Sequence, residues 1–131
     1  MFPHIVTLFN IYKVNGEVCY HKTVFNNAFF YKTNQVIEEG KGIANASQFH
    51  CIIPLKQLTN YIERKEFNTL IDKTDKFTFA PNDIIVKGEC KEITSITELQ
   101  SSINEYFVIK IVNDNRYGSE NVQNIEVTSW E

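Results

Sequence analysis

The sequence predicts a mainly β protein: a small β-barrel or sandwich of about seven strands in a single domain, residues 1–131. The first observation behind this prediction is the aromatic content, because ten Phe, six Tyr and one Trp favour strands. The second is the recurrence of short apolar segments bounded by turn residues. Two exceptions are expected, one short α-helix over about 95–106 and one long loop or arm over about 55–76.

The N-terminal part predicts a β-hairpin followed by a further extended segment. Residues 5–13 are rich in β-formers, Asn15-Gly16 is a tight-turn signal, and residues 18–24 return as the second strand. Residues 25–27 predict a bend or bulge, after which residues 28–33 continue in extended conformation.

Aromatic residues at positions 29–31 place rings on both faces of that segment, so one face is expected in the core and the other at a contact surface. Residues 36–46 contain a charged, Gly-rich sequence that predicts a flexible turn. The alternating residues 48–53 then predict a half-buried strand, which ends at Pro54.

Residues 55–76 allow two interpretations. Leu55, Leu58 and Ile62 fall at helical spacing, and a run of mixed charge follows them. The first interpretation is a surface loop with one or two helical turns. The second is an arm that packs on a neighbouring subunit, because long excursions from compact domains are often functional.

The stretch at 77–92 is the one around which the remaining elements are expected to be arranged. It combines alternating aromatics, a Pro-Asn-Asp turn and an apolar strand. A capping box at 95–98 begins the predicted helix. Strands over 107–112, expected to be central, and over 124–130 complete the pattern.

Composition excludes several classes. A formal net charge of −3 argues against a general nucleic-acid binder, which needs a basic face to displace phosphate counterions. Three cysteines without a CxxC pair indicate neither a disulfide framework nor a zinc ribbon, and they fit a reduced, intracellular place of synthesis. The sequence shows neither a secretory signal nor an apolar run of about 20 residues that could cross a bilayer.

The sequence also lacks the Gly-x-Ser-x-Gly, Walker, His-Glu-x-x-His and dinucleotide-binding motifs. Cys19 and His21 share one face of a strand, but His50 and Cys51 are adjacent and point to opposite faces, which argues against a metal or Cys-His nucleophile site. We therefore expect no enzyme activity, no metal and no cofactor, with buried cysteines and solvent-facing histidines.

Two residues have open roles. Arg116, in the turn-rich segment 113–119, could bind an anion or a ribose; the commoner use is to hold a turn or to meet a partner's carboxylate. Trp130 either packs on the rim of the β-domain or anchors a subunit contact.

Five blocks of the sequence resemble a family of small phage and prophage proteins from low-GC Gram-positive bacteria, usually labelled minor capsid or head–tail connector proteins. The blocks are TLFNxY at 7–12, YHKTV at 20–24, PNDIIVKG at 81–88, DNRYGS at 114–119 and VxxW at 127–130. They occur in the same order over nearly the whole chain. The sequence departs from the family pattern at Asn82, where glycine is expected, and at 28–31, where residues close to GVxW are usual.

The resemblance implies a virion structural protein at the head–tail interface, in a ring that joins or closes the DNA channel. A head-closure (connector) role and a tail-completion (tail terminator) role are both open. The implied partners are copies of itself in a ring homo-oligomer, other phage connector, portal-side adaptor or tail proteins, and the passing double-stranded DNA, with no membrane. The implied locations are the virion and, during assembly, the host cytoplasm.

For the subunit interface we predict five residues: Phe30, Tyr61, Phe67, Arg116 and Trp130. Two functions from other classes are kept beside the ring subunit. One is an OB-like nucleic-acid-binding module that uses aromatic rings as stacking platforms. The other is a small hydrolase or metal enzyme.

Overall fold

The computed structural model describes residues 4–39, 42–73, 75–100, 105–116 and 123–129; of residues 34–39 and 42–47 it describes the backbone. Seven strands, two short α-helices and one 3-10 turn make up this part of the chain. In chain order they are β1 (His4–Val14), β2 (Glu17–Glu39), β3 (Gly42–Pro54), the 3-10 turn (Leu55–Gln57), α1 (Arg64–Thr69), β4 (Ile84–Lys87), α2 (Thr97–Gln100), β5 (Tyr106–Val108), β6 (Ile111–Asn115) and β7 (Asn124–Thr128).

All strand pairs are antiparallel, and the strand order is β5-β4-β1-β2-β3-β7-β6. The predicted mainly β fold of about seven strands is therefore confirmed. The sheet folds into two halves that share β2. The "first half" contains β5, β4, β1 and β2 up to Ala28, and the "second half" contains β2 from Phe29 onward, β3, β7 and β6. The end strands β5 and β6 do not pair with each other, so the described chain forms a sandwich rather than a closed barrel.

The predicted hairpin at the N-terminus is confirmed. Asn15 and Gly16 form the turn with φ angles of 51° and 83°, the left-handed values that a two-residue hairpin turn requires. The bulge predicted at 25–27 is also present, because the register shifts between Val6 opposite Phe25 and His4 opposite Ala28. Two residues of β2 there face one residue of β1, and such a bulge bends the strand at the point where it passes between the halves.

A single central strand was predicted over 107–112, but the structure contains two strands there, β5 and β6. β5 pairs with β4 in the first half, β6 pairs with β7 in the second, and the two strands lie at opposite ends of the order. The chain changes partners at Ile109 and Lys110. The Ile109 amide donates to Asp83 O at 2.7 Å, and the Lys110 amide donates to Thr128 O at 2.9 Å. A uniform apolar pattern could not show that one extended segment serves both halves.

The larger hydrophobic core lies between the two halves and takes side chains from β1, β2, β3, β4, β5 and β7. A second, smaller cluster lies on the outer face of the first half, where Cys90, Ile93 and Leu99 cover Phe9 and Ile84. The chain reaches this face through Gly88, whose φ of 93° is strained for other residues. Burial of both faces should stabilise the first half by about 25 cal/mol for each Å² of apolar surface removed from water.

The helix predicted over 95–106 is partly confirmed. Glu98 accepts hydrogen bonds from the Ser95 amide at 3.0 Å and the Thr94 amide at 2.7 Å, and Ser95 Oγ accepts one from the Thr97 amide at 3.2 Å. This is the predicted capping box, and its hydrogen bonds lower the pKa of the Glu98 carboxyl. The predicted end is too late, because Tyr106 already belongs to β5; residues 101–104 lie outside the described chain. No helix in the described residues has the length and apolar composition to cross a bilayer.

Candidate functional site

Two of the five predicted interface residues are core residues, and their prediction as contact residues is corrected here. Phe30 is 4% exposed and packs against Phe49 and Phe107 between the halves. Phe67 is fully buried and contacts the rings of Tyr12 and His21. Both side chains were assigned to a surface because the strand faces and the 55–76 segment could not be oriented from local pattern alone.

Tyr61 and Arg116 are brought together. The Arg116 guanidinium lies 4.8 Å from the centre of the Tyr61 ring, and its Nη2 and Nε donate to the Asp114 carboxylate at 2.6 and 2.8 Å. The Arg116 amide also donates to Asp114, and these hydrogen bonds lower the pKa of the Asp114 carboxyl. Arg116 therefore holds a turn, one of its two predicted uses. Trp130 lies outside the described residues.

Segment 55–76 is a loop with one 3-10 turn and one short helix, as the first of its two interpretations predicted. It is anchored to the first half through Phe67 and through Arg64, whose guanidinium contacts the Asp83 carboxylate at 3.2 Å and donates to Ile11 O at 2.7 Å. With these anchors the segment packs along its own chain, and Ile71 remains fully exposed.

Asp83 is the most enclosed charged group of the described chain. Its carboxylate accepts hydrogen bonds from Asn10 Nδ2 at 2.8 Å and from the Ile11 amide at 3.0 Å, in addition to the Arg64 contact. Burial raises the pKa of Asp83, and these partners oppose that rise. Through these partners Asp83 joins segment 55–76 to β1.

Several residues of the PNDIIVKG block at 81–88 thus have structural roles. Asp83 forms this polar network, and Gly88 makes the left-handed turn after β4. Asn82 has a φ of 80°, a conformation that glycine and asparagine adopt more readily than other residues.

The cysteines and histidines lie in separate environments. Cys51 is buried in the core, and burial raises the pKa of its thiol and of the Cys90 thiol, so both stay protonated at neutral pH. Cys19 is half-buried, like His21, whose Nε2 lies 2.8 Å from Lys76 O. His50 lies on the opposite face from Cys51, as predicted, and is half-buried. Within the described residues no group of three or more His, Cys, Asp or Glu could hold a metal ion.

A row of four stacked rings, here called the ring row, begins at His4 of β1 and continues on the outer face of the second half through Phe29, Tyr31 and His50. Successive ring centres are 5.6, 5.1 and 4.5 Å apart. Glu126 contacts the last two rings of the row. Its carboxylate accepts a hydrogen bond from Tyr31 Oη at 2.9 Å and lies 3.1 Å from His50 Nδ1. Burial and then the hydrogen bond to Glu126 raise the pKa of Tyr31 to about 12.

The ring row was only half predicted. The alternation at 29–31 indicated that rings would lie on an outer face, and Phe29 is 37% exposed there. The contribution of His50 and Glu126 depends on the register, which places His50 opposite Tyr31 on β2 and Glu126 opposite Ile52 on β3. No local sequence signal specifies these cross-strand neighbours.

Among the side chains that the structure describes, the other exposed apolar residues of β1 and β2 fall at the two ends of β1. Ile5, 42% exposed, follows His4 at one end, and Val14 and Val18, 48% and 47% exposed, flank the hairpin turn at the other. Val14 lies nine positions after Ile5 along the extended strand, or about 30 Å away. Exposed apolar side chains therefore occur at both ends of β1, and the register places Val14 and Val18 on opposite faces of the hairpin, because Val14 pairs with Glu17 and Val18 with Lys13.

Comparison with known proteins gives one match. A family model described as a family of unknown function, DUF6751, matches residues 2–129. No curated protein and no solved structure matches the chain. Since the family model covers nearly the whole sequence, the chain belongs to the DUF6751 family.

Proposed function

We propose that this protein is a structural subunit of a phage particle that assembles into a ring at the head–tail interface and joins or closes the DNA channel. The observation that carries the proposal is that the described residues leave two different surfaces open: the ring row, where Phe29 is 37% exposed, and the main-chain edge of β6, which pairs only with β7. A ring requires that each subunit bind its neighbour through two different surfaces, and the ring row and the β6 edge could serve as those two surfaces.

Further support comes from the sequence blocks that resemble phage connector proteins and from the absence of a metal-binding cluster in the described residues. The net charge of −3 suits a protein that DNA passes without binding. In this proposal the protein acts through shape: each copy docks on the ring below, contacts its neighbours, and offers a surface to the next component.

The OB-like alternative receives no support from the ring row. Base stacking uses the faces of aromatic rings. Phe29 is stacked with His4 and Tyr31, and Tyr31 with Phe29 and His50, so the two inner rings are occupied by their neighbours. An oligonucleotide would have to break these stacks before it could bind.

Mass spectrometry of purified particles tests the proposal. Particles from the phage or induced prophage that encodes the gene should contain this polypeptide at a constant copy number relative to the major capsid protein. Particles that are complete and infectious but lack the polypeptide would contradict the proposal. The position of the gene relative to those for the major capsid and tail-tube proteins separates head closure from tail completion.

A further inference from the structure

The structure contains an extended arm, in a different place from the predicted 55–76 segment. β1 pairs with β2 as far as Ala28, and β7 pairs with β3 as far as His50. β2 and β3 continue beyond these strands, and their last six residue pairs run from Asn34–Ser47 to Glu39–Gly42. This two-stranded ribbon, residues 34–39 and 42–47, is about 20 Å long at about 3.3 Å per residue.

The ribbon has open main-chain edges. In the described chain no third strand continues the sheet along either side of it. A two-stranded hairpin alone is only marginally stable in water, and the free N–H and C=O groups of its edges can pair with another strand. Additional strand pairing is therefore the chemistry that this arm is suited to.

The β3 edge of the ribbon lacks the usual protection. Natural edge strands avoid association by means of charged residues, proline or bulges. Residues 42–47, Gly-Ile-Ala-Asn-Ala-Ser, contain neither charge nor proline, and their register with β2 is continuous. The β2 edge differs, because it carries Glu38 and Glu39 near its tip. The β3 edge is thus the better candidate for pairing.

Two further edges are open in the described chain, at β5, which pairs only with β4, and at β6, which pairs only with β7. The β6 edge is the better partner because it is five residues long, against three for β5. The registers place Ile111 opposite Thr128, and Thr128 opposite His50. Ile111, the first residue of β6, is thus level with His50 of β3, and the ribbon begins three residues further along, at Ser47. The ribbon therefore extends past the end of β6 in the same chain. The edge of β6 can reach the ribbon only from another copy of the chain.

We propose that residues 42–47 pair, main chain to main chain, with the β6 edge of a second copy. The contact is heterologous, since the ribbon of one copy meets β6 of the next, and such contacts continue around a ring when the rotation closes. The inference rests on the proposed function and deepens it by naming the contact that links neighbouring subunits.

A ribbon-shortened variant tests this contact. Residues 35–46 are replaced by Asn-Gly between Asn34 and Ser47, which preserves the register of the remaining strands. Sedimentation velocity up to about 1 mM protein should show oligomers of the full-length chain and only monomer of the variant. Circular dichroism and the melting temperature check that the shortened chain is folded. Ile71→Ser, which changes the exposed position of segment 55–76, is the matched control and should associate like the full-length chain.

Hydrogen exchange identifies the edges that pair. On association of the full-length chain, amides of 42–47 and 111–115 should gain protection together. The inference is overturned if the full-length chain stays monomeric, if the shortened variant associates equally well, if the Ile71→Ser variant loses association, or if a closed symmetric dimer forms. The presence of the polypeptide in particles is measured independently, so failure of the ribbon contact remains distinguishable from failure of the proposed function.

Discussion

The two halves of the sheet are covered differently. The first half is packed on both faces, by the central core inside and by residues 88–100 outside, where Leu99 is 1% exposed. The second half shares the central core, but its outer face carries the ring row, of which Phe29 is 37% exposed. The same strand, β2, passes through both environments and ends in the ribbon.

This difference separates a sheet half covered on both faces from one whose outer face is partly open. In the first half, apolar side chains removed from water should supply most of the folding free energy. In the second half, the ring row and the main-chain edges of the ribbon and of β6 remain available to another molecule. Four predictions test this division, from the largest expected effect to the smallest.

The largest effect is expected for Phe67→Ala. The side chain is fully buried against Tyr12 and His21, and its removal leaves a cavity under segment 55–76. We expect a loss of about 3–5 kcal/mol in the free energy of unfolding, measured by urea denaturation. Ile71→Ser, in the same segment but fully exposed, should change it by less than about 0.5 kcal/mol. Equal effects of the two substitutions would show that the segment is not packed on the body.

Leu99→Ala tests the outer cover of the first half. Leu99 packs with Phe9 and Ile84, so truncation should cost about 2–4 kcal/mol in the same measurement. Lys91→Ala, an exposed position of the same segment, is the control and should fall within about 0.5 kcal/mol of the parent protein. A cost below about 1 kcal/mol for Leu99→Ala would mean that residues 88–100 do not cover this face.

Titration of Tyr31 tests the ring row. Its pKa is raised from 10.0 to about 12 in the folded chain, so the folded state holds the proton more tightly than the unfolded state. The stabilisation is present below pH 10 and is lost as the pH rises through about 12. Ultraviolet difference titration, compared with Tyr31→Phe to isolate this group, should show the late ionisation. Glu126→Gln should lower the pKa of Tyr31, while burial keeps that pKa above its ordinary value. An unchanged pKa of Tyr31 in this variant would show that Glu126 does not contribute to the raised pKa.

The smallest effect on the isolated chain is expected for Phe29→Ser. The ring is partly exposed and stacks with His4 and Tyr31, so its loss should cost about 1 kcal/mol or less. If the outer face of the second half is an interaction surface, the same substitution should weaken association in sedimentation experiments far more than it lowers the melting temperature. A cost above about 3 kcal/mol would place Phe29 among core residues and end the contrast between the halves.

Local sequence signals predicted the hairpin turn at Asn15-Gly16, the bulge before Ala28, the end of β3 at Pro54 and the capping box at Ser95. Each depends on the conformational preference of a few neighbouring residues. The predicted and observed numbers of strands are both seven, but not every predicted strand corresponds to one observed strand. The predicted strands 18–24 and 28–33 form one strand, β2, whereas the predicted strand 107–112 forms two, β5 and β6. The two differences cancel.

The predicted interface residues show which features short-range sequence patterns cannot predict. Phe30 and Phe67 are of a residue type that is common at interfaces, but both pack in the core. Arg116 contacts Asp114 of its own chain. The Asp83 network joins residues more than 70 positions apart in sequence, from Asn10 and Ile11 to Asp83. Such distances leave no periodic pattern that could be read in advance.

By itself the sequence determined the β-rich class, the positions of the tight turns and the start of the helical segment, because backbone preference and alternation act over a few residues. Only the tertiary structure decided which faces were covered, which strands became edges and which segment extended as the arm. These outcomes depend on pairing between distant strands, where one shift of register exchanges every inward side chain for its outward neighbour.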